Sequence, residues 1–532
     1  MRKKLTVLCL FLDFEKAFDT VWKKGLIVKL WDVGVHGNYL KLINSFLFNR
    51  QVQLLVNGFV GPVRDCLDVG LPQGAVLSPI LFKFIAYDVD EISRLYLQIS
   101  IFKFADDLTA KVTGESMEEC LFYLNLVLDA FYKWSMKWRM VINCERNKTE
   151  VVCFYARNYN LIPSSFSLGH NSISLVESSK VLDIFIDRKL NFQEHSEFIY
   201  NRLLYKWTNV CRSCNRNWGM NHIVLGRITK AAFFSTLFYG GLIWMTTSNM
   251  SMIDHLWCKI AKTAVGAIFN VNQGILEVIM GIPPLHVQND IICLKHYLKS
   301  VTVDSGSSIH TEFITNEVMV SNPDVMGNMK RLFKFLQWKL DIIPTAFSDM
   351  DKDIVLGLKF HQFDQLSVHS CMYSKSIMKD YTELLWQASI ENKLQFIGDT
   401  RFPFVSLAQI PIPMGIPRKI EVIILSFFYK QNLLNGFLYL AQRVKCPDPI
   451  CICGEEEQTA YHIITECRLV DCNLRRDSLQ AIWRCNMTNN PPADNISLLN
   501  CSRDNRFMNC LMEVVSNNSL KLRTKYVIVK NY

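Results

Sequence analysis

The stretch Leu5–Val21, LTVLCLFLDFEKAFDTV, decides how the chain is read. Leu5 to Leu12, seven apolar residues and Thr6, run without a charge and stop at Asp13, Phe14, Glu15 and Lys16. Arg2, Lys3 and Lys4 stand before the run, so its opening has the basic and apolar parts of a secretory signal. The small-residue cleavage site is missing, and charges follow where that site belongs. A short apolar run with β-branched residues, bounded by charge, predicts a strand buried on both faces. Asp13 then lies at the strand's carboxyl end.

The pattern continues outward from that strand. Leu26, Leu30 and Trp31 keep helical spacing. RQVQLLVNGFVGPV places Asn57-Gly58 between apolar runs, a strong short-range hairpin signal. GLPQGAVLSPILFKFIAYDVDEI turns and becomes helical, with Pro79 near the helix start. Phe104 to Leu108, FADDL, reads as strand, two-residue turn, strand, and sets Asp106 and Asp107 at the tip. Ser116 and Glu119 form a capping box for a helix carrying Leu121, Leu124, Leu128, Phe131 and Trp134. VINCERNKTEVVCFYA returns to strand. This order predicts an α+β layer, an antiparallel sheet with helices on one face.

Two neighbouring strands can bring Asp13 and Asp106 to one sheet edge. Clustered carboxylates raise one another's pKa unless divalent cations neutralise them. Mg2+ is the natural occupant, because it takes oxygen ligands and keeps positions open for substrate phosphates. Two such ions ~3.5–4 Å apart clamp the attacking and leaving oxygens of a phosphoryl transfer.

DFEKAFDTV, GLPQGAVLSPILF and FADD, in this order, resemble motifs A, B and C of reverse transcriptases, most of all those of Jockey- and R1-like non-LTR (LINE-type) retrotransposons. NCERNKTEVVCF resembles motif D, and FIDRKLNFQEH the segment leading into the thumb. The resemblance covers roughly residues 5–300 and makes LTVLCLFLD the motif A strand, which removes the signal-peptide reading. It implies a polymerase palm followed by a mainly helical thumb and a carboxyl-terminal region with a small zinc-binding element. Asp13, Asp106 and Asp107 match the metal-binding catalytic carboxylates for two Mg2+ ions. Phe18 matches the aromatic gate against a ribose 2′-hydroxyl, and Gln73 and Gly74 match the contact to nucleotide and template. Lys148 matches the motif D lysine, a candidate proton donor to the leaving pyrophosphate. Asp183 stands where the family usually has Gly, Tyr87 where it has Asn, and Phe104 where Tyr is commoner. A buried Asp183 would be costly.

Near the other end, CICGEEEQTAYHIITEC supplies Cys451, Cys453, His462 and Cys467 with spacing C-x-C-x8-H-x4-C. Four such ligands suit one structural, tetrahedral Zn2+. The first gap is short for a zinc site, so Cys446 is an alternative to Cys451. The segment resembles the CCHC nucleic-acid-binding element of the same retrotransposons. Cys211-x2-Cys214 lacks a second ligand pair nearby and reads as packing.

The totals fit this reading. At 532 residues the chain exceeds one domain, and 50% hydrophobic content allows large cores. The net charge of +9 is compatible with a polyanionic partner. Residues 201–230 hold Arg202, Lys206, Arg212, Arg216, Arg227 and Lys230 and no acid, a candidate phosphate-tracking surface. Eighteen scattered cysteines suit a reducing compartment, nucleus or cytoplasm, rather than secretion. No stretch reaches the ~18 apolar residues of a membrane span, and Gly240-Gly241 break Ala231–Met245 into a buried helix pair.

The expected organisation is palm at 1–170, palm end and helical thumb at 171–300, a connector of unknown role at 301–415, the CCHC element at 416–488, and linker and tail at 489–532. Within the connector VTVDSGSS is the nearest string to an RNase H start and does not convince. The chain opens at motif A, so the reading expects neither the family's endonuclease nor its fingers. The expected partners are RNA template, DNA primer or target, and deoxynucleoside triphosphates, with no membrane. The expected function is RNA-directed DNA polymerase. The alternative is an inactive, truncated retrotransposon remnant that only binds nucleic acid.

Overall fold

The computed structural model describes residues 5–65, 69–154, 162–215, 218–267 and 271–302, with shorter pieces beyond, among them 382–387, 418–426 and the four residues 451, 453, 462 and 467. Most of the 301–415 connector, the 489–495 linker and Cys446 lie outside the described residues. The chain divides into two compact units, Met1–His195 and Ser196–Tyr532.

The first unit is built on a six-stranded sheet. Its strands are β1 (Thr6–Leu12), β6 (Ile99–Phe104), β7 (Asp107–Gly114), β8 (Glu150–Phe154), β9 (Ser165–Leu168) and β10 (Asn171–Val176), in the spatial order β6-β7-β1-β8-β10-β9. Between β1 and β6 come α1 (Ala17–Thr20), α2 (Lys23–Asp32), α3 (Gly37–Leu47), the short strands β2 (Gln51–Val52), β3 (Leu55–Val56), β4 (Phe59–Val60) and β5 (Arg64–Asp65), then α4 (Ser78–Ile85) and α5 (Glu91–Leu95). The long helix α6 (Met117–Trp138) joins β7 to β8. A further hairpin, β11 (Ser178–Val181) and β12 (Ile184–Asp187), follows β10.

Sequence accounts for these elements locally. Asn57 and Gly58 adopt φ of 48° and 83° between β3 and β4, the left-handed pair that a two-residue hairpin turn requires. Ser116 Oγ accepts from the Glu119 N–H at 3.1 Å, and the Glu119 carboxylate accepts from the Glu115 N–H at 2.8 Å, so two orphan donors at the start of α6 are satisfied. Pro79 sits in the first turn of α4, where its missing N–H costs nothing.

β1 is buried on both faces, as its unbroken apolar run requires. Leu8, Leu10 and Leu12 belong to the main core with Leu26 and Leu30 of α2, Phe82 of α4, and Leu124, Leu128 and Phe131 of α6. Cys9 and Phe11 belong to a smaller core with Val152 and Phe154, partly covered by Val181 and Ile186 of the β11–β12 hairpin. The large helices therefore lie on one face, and a hairpin shields part of the other.

The sheet is mixed, which corrects the antiparallel expectation: β10 pairs with β8 in parallel. The reason lies in the connection. After β8 the chain first forms the edge strand β9, and the tight β9–β10 hairpin reverses direction once more before β10 meets β8. Gly169 turns that hairpin with φ of 59°, where an added Cβ would lie 2.1 Å from the Tyr132 ring of α6. Asp183 is also corrected. It is exposed, with Leu182 it occupies the left-handed region between β11 and β12 (φ 47° and 66°), and it ion-pairs with Lys180 at 2.7 Å. Aspartate tolerates that conformation in a turn, so the feared burial cost does not arise.

The second unit is helical. Its elements are α7 (Gln193–Cys211, begun in the first unit), α8 (His222–Ile228), a π-helical turn (Thr229–Phe234), α9 (Ser235–Leu237), α10 (Gly241–Trp244), α11 (Thr247–Val265), α12 (Gln273–Met280), α13 (Leu285–Thr302) and a helix at Arg418–Ser426. Gly240, at φ of 61°, breaks the apolar 231–245 segment as anticipated. His222 and Arg418 clamp the buried carboxylate of Glu421, with Arg418 Nη1 at 2.6 Å. Among the described residues no helix is long and apolar enough to cross a membrane.

Candidate active site

Strand register assembles the carboxylates. β1 and β7 pair antiparallel with Leu12 opposite Leu108, so one further step sets Asp13 opposite Asp107. On the other side the β1–β8 pairing ends at Phe11 opposite Glu150; Asp13 instead meets Asn143, and Lys148 lies in the turn just before β8. Side-chain alternation settles the face. Leu12 and Leu108 point into the helix-side core, so Asp13 and Asp107 lie on the other side of the sheet. Asp106 occupies the β6–β7 turn, which Ala105 opens at φ of 51°.

Side-chain contacts agree with the register. The Lys148 ammonium lies 3.3 Å from the Asp13 carboxylate. Burial pushes the Asp107 carboxyl above its ordinary value, and the charges of Asp106 and Asp13 push it the same way, while Lys148 pulls it down. Three carboxylates that repel one another beside a single described ammonium form the donor set a divalent cation fits. Asp13 is held from the far side too. Its N–H donates to Thr149 Oγ1 at 3.3 Å, its carbonyl accepts from the Asn143 N–H at 2.8 Å, and its carboxylate accepts from Asn143 Nδ2 at 3.4 Å.

Phe18, Gln73 and Gly74 gather at a second point, where two turns are zipped together. The Leu71 N–H donates to the Phe18 carbonyl at 2.7 Å, and the Gly70 N–H to the Val21 carbonyl at 2.8 Å. Gln73 Nε2 donates to the Asp19 carboxylate at 3.1 Å. Phe18 is half-buried and stacks on Phe82 with ring centroids 4.7 Å apart, which fixes its ring. Gly74 has φ of 83° and open space around the position a Cβ would take. Gly70 is the tight member: at φ of 84°, a Cβ would lie 2.6 Å from the Asp19 carbonyl oxygen. Sequence reasoning passed over Asn143, Thr149 and Gly70, and read Asp19 only as a motif A residue that is not the metal ligand; register and packing show what they hold.

In the second unit, Cys451, Cys453, His462 and Cys467 come together with their ligand atoms all within 4.8 Å of one another. The sulfurs of Cys451 and Cys467 are 3.7 Å apart, close to the ~3.8 Å edge of a tetrahedron with 2.3 Å zinc–sulfur arms. Gly454, at φ of 81°, turns the knuckle so that its N–H meets the Cys451 carbonyl at 2.8 Å, which is how a one-residue gap still converges. Burial pushes the Cys453 thiol up, but the Glu455 N–H and His462 outweigh it and bring it down to about 7. The described cysteines are all free thiols.

The acid-free 201–230 stretch is partly committed elsewhere. Lys206 Nζ donates to the Ala232 carbonyl at 3.0 Å and to Thr236 Oγ1 at 2.5 Å, in the π-helical region. Lys230 Nζ reaches the Gly281 carbonyl at 3.3 Å. Two cations of that stretch therefore serve helix carbonyls. Arg216 lies outside the described residues.

Comparison with known proteins agrees with the motifs. The family described as reverse transcriptase (RNA-dependent DNA polymerase) matches residues 1–192. The RNA-directed DNA polymerase from mobile element jockey of Drosophila melanogaster is 28% identical over 61% of this chain and 35% of its own length. Residues 1–192 thus match the reverse transcriptase family, and the chain is similar to the enzymes of non-LTR retrotransposons. A Pol polyprotein from the type-1 retrotransposable element R1 of Bradysia coprophila is 21% identical over 87% of this chain and 40% of its own length. The chain spans well under half the length of those two relatives. A solved telomerase structure from Candida albicans aligns with 58% of this chain and 51% of its own at 11% identity and a TM-score of 0.25, too loose a superposition to bear on the fold.

Proposed function

We propose that this chain carries the nucleotidyl-transfer centre of an RNA-directed DNA polymerase, which extends a DNA primer on an RNA template with deoxynucleoside triphosphates. The observation that carries the proposal is the placement of Asp13 beside Asp107 by the β1–β7 register, with the Lys148 ammonium 3.3 Å from its carboxylate. Asp13, Asp106 and Asp107 would hold two Mg2+ ions. When bound, the ions neutralise the carboxylates and supply electrostatic stabilisation to in-line transfer at the α-phosphate.

The remaining chemistry belongs to the chain. Asn143 and Thr149 keep Asp13 oriented. Lys148 is near enough to the carboxylates to protonate the departing pyrophosphate, whose oxygens become strongly basic as the bond breaks. Phe18, braced by Phe82, closes the space a 2′-hydroxyl would need and so selects deoxynucleotides. Gln73 and Gly74 border the nucleotide and template, with Gly74 letting the backbone come close.

The proposal extends to organisation. Palm residues precede a helical thumb, and Cys451, Cys453, His462 and Cys467 bind one structural Zn2+ in a nucleic-acid-binding element. Free thiols throughout the described residues favour a reducing location, nucleus or cytoplasm.

Primer extension on an RNA template with Mg2+ tests the centre, run beside Asp106→Ala. Incorporation by the parent chain and its loss in the variant are expected. Equal incorporation by both proteins removes the assignment and leaves the nucleic-acid-binding reading.

A further inference from the structure

Motifs A and B meet through a polar pair, Asp19 and Gln73. Gln73 Nε2 donates to Asp19 Oδ1 at 3.1 Å. Both side chains are exposed, yet each leaves a backbone that is pinned. The Asp19 N–H donates to the Lys16 carbonyl at 2.7 Å. Gly70 packs against the Asp19 carbonyl so closely that a Cβ would lie 2.6 Å from its oxygen. On the other side, the Pro72 carbonyl accepts from the Ala75 N–H at 3.3 Å and from the Oγ of buried Ser78 at 2.6 Å, which fixes the start of the turn carrying Gln73 and Gly74. Phe18, the residue before Asp19, keeps its ring on Phe82.

Hydrogen-bond polarity gives the pair a direction. A primary amide has a donor end and an acceptor end of nearly equal shape, whereas a carboxylate only accepts. Asp19 therefore takes the nitrogen end of Gln73 and leaves the carbonyl oxygen for a group beyond it. An exposed hydrogen bond adds little to stability, because water replaces it at both partners. The two turns are also joined already by the main-chain bonds from Leu71 to Phe18 and from Gly70 to Val21. What the pair sets is which end of the Gln73 amide faces outward.

We propose that Asp19 is a positioning residue of the polymerase site: it holds the Gln73 amide nitrogen so that the carbonyl oxygen faces the nucleotide and template as a hydrogen-bond acceptor. The proposal rests on the reading of Gln73 as a nucleotide and template contact. Without Asp19 the amide turns either way, and one of the two orientations presents a donor where an acceptor is needed. Asp19 acts by accepting and not by its charge, so an isosteric neutral acceptor serves in its place.

The test is equilibrium binding of the complementary deoxynucleoside triphosphate to the full chain with Mg2+, on a dideoxy-terminated DNA primer annealed to an RNA template, where nucleotide binds and no transfer follows. Asp19→Ala is expected to weaken nucleotide binding by about three- to tenfold, the effect of one lost hydrogen bond, with the melting temperature unchanged. Asp19→Asn keeps an acceptor without the charge and should stay within about twofold of the parent. In a Gln73→Ala background Asp19→Ala should change nothing further, because no amide is left to position. Unchanged affinity in Asp19→Ala overturns the proposal, as does an additive loss in the double variant. Asp19→Asn as weak as Asp19→Ala overturns it too, since charge would then be the cause. A parent chain that binds no nucleotide removes the polymerase reading together with this proposal, whereas a parent that binds and an Asp19→Ala chain that binds equally remove the proposal alone. Should Asp19→Ala fail to fold, Asp19→Leu is read by the same criteria.

Discussion

Replacing Lys148 by Met separates what this lysine does for the fold from what it does for chemistry. At 3.3 Å from the Asp13 carboxylate, a unit charge pair is worth ~1.3 kcal/mol in water and ~5 kcal/mol at an effective dielectric of ~20. The Lys148 side chain is 49% exposed and that of Asp13 22%, so the solvated limit governs. Entropy and screening reduce it below ~1 kcal/mol. A melting temperature within about 3 °C of the parent is therefore expected. A positioned proton donor contributes far more, ~10²–10⁴ in rate. Single-turnover primer extension at saturating nucleotide should fall about a hundredfold or more in Lys148→Met. Lys148→Arg sharpens the test. Arginine keeps the positive charge but holds its proton at neutral pH, so it should preserve stability and leave the rate low. Full rate in Lys148→Arg, or a loss under about threefold in Lys148→Met, would refute proton donation and leave Lys148 as a counter-ion.

Three further outcomes are expected. Gly70→Ala should destabilise the first unit by ~2–4 kcal/mol in urea unfolding, from ~1–2 kcal/mol for a left-handed alanine plus crowding of the Asp19 carbonyl; no measurable change would show that the turn relaxes freely. Burial brings the Lys29 ammonium, enclosed by Trp134, Trp138 and Asp88, from 10.5 down to about 8. The unfolded chain then binds more protons between those values, so stability should rise from pH 8 to 10.5 by at most ~3 kcal/mol, and a Lys29→Met protein with the same rise in melting temperature would contradict this. Cys467→Ser should reduce bound zinc from one per chain towards none by elemental analysis after dialysis, and undiminished zinc would remove the four-ligand assignment.

The sequence made the principal elements readable wherever a short-range signal existed. The apolar run to Leu12, Asn57-Gly58, the Ser116–Glu119 box and the FADD turn each encode their conformation within a few residues. The meeting of Asp13 with Asp106 and Asp107 was legible through motif order, and the β1–β7 register gives its geometry. Other features depend on partners distant in sequence. The parallel β8–β10 pair follows from where the β9 hairpin docks, and no local pattern records that. Lys206 reaches a carbonyl of the π-helical turn and Lys230 the carbonyl that closes α12, contacts that a count of basic residues cannot record. The cost that burial of Asp183 would carry does not arise, because the residue stands in an exposed two-residue turn.

The central place of β1 in the sheet bears on how the centre comes into being. Its two neighbours begin at Asp107 and Glu150, so Asp13 waits for partners roughly a hundred and more residues further along the chain. Contacts of such separation close late, after the loop entropy has been met. A nascent chain that stops short of α6 and β8 can still pair β1 with β7, but it lacks Asn143, Thr149 and Lys148, the groups that brace and face Asp13.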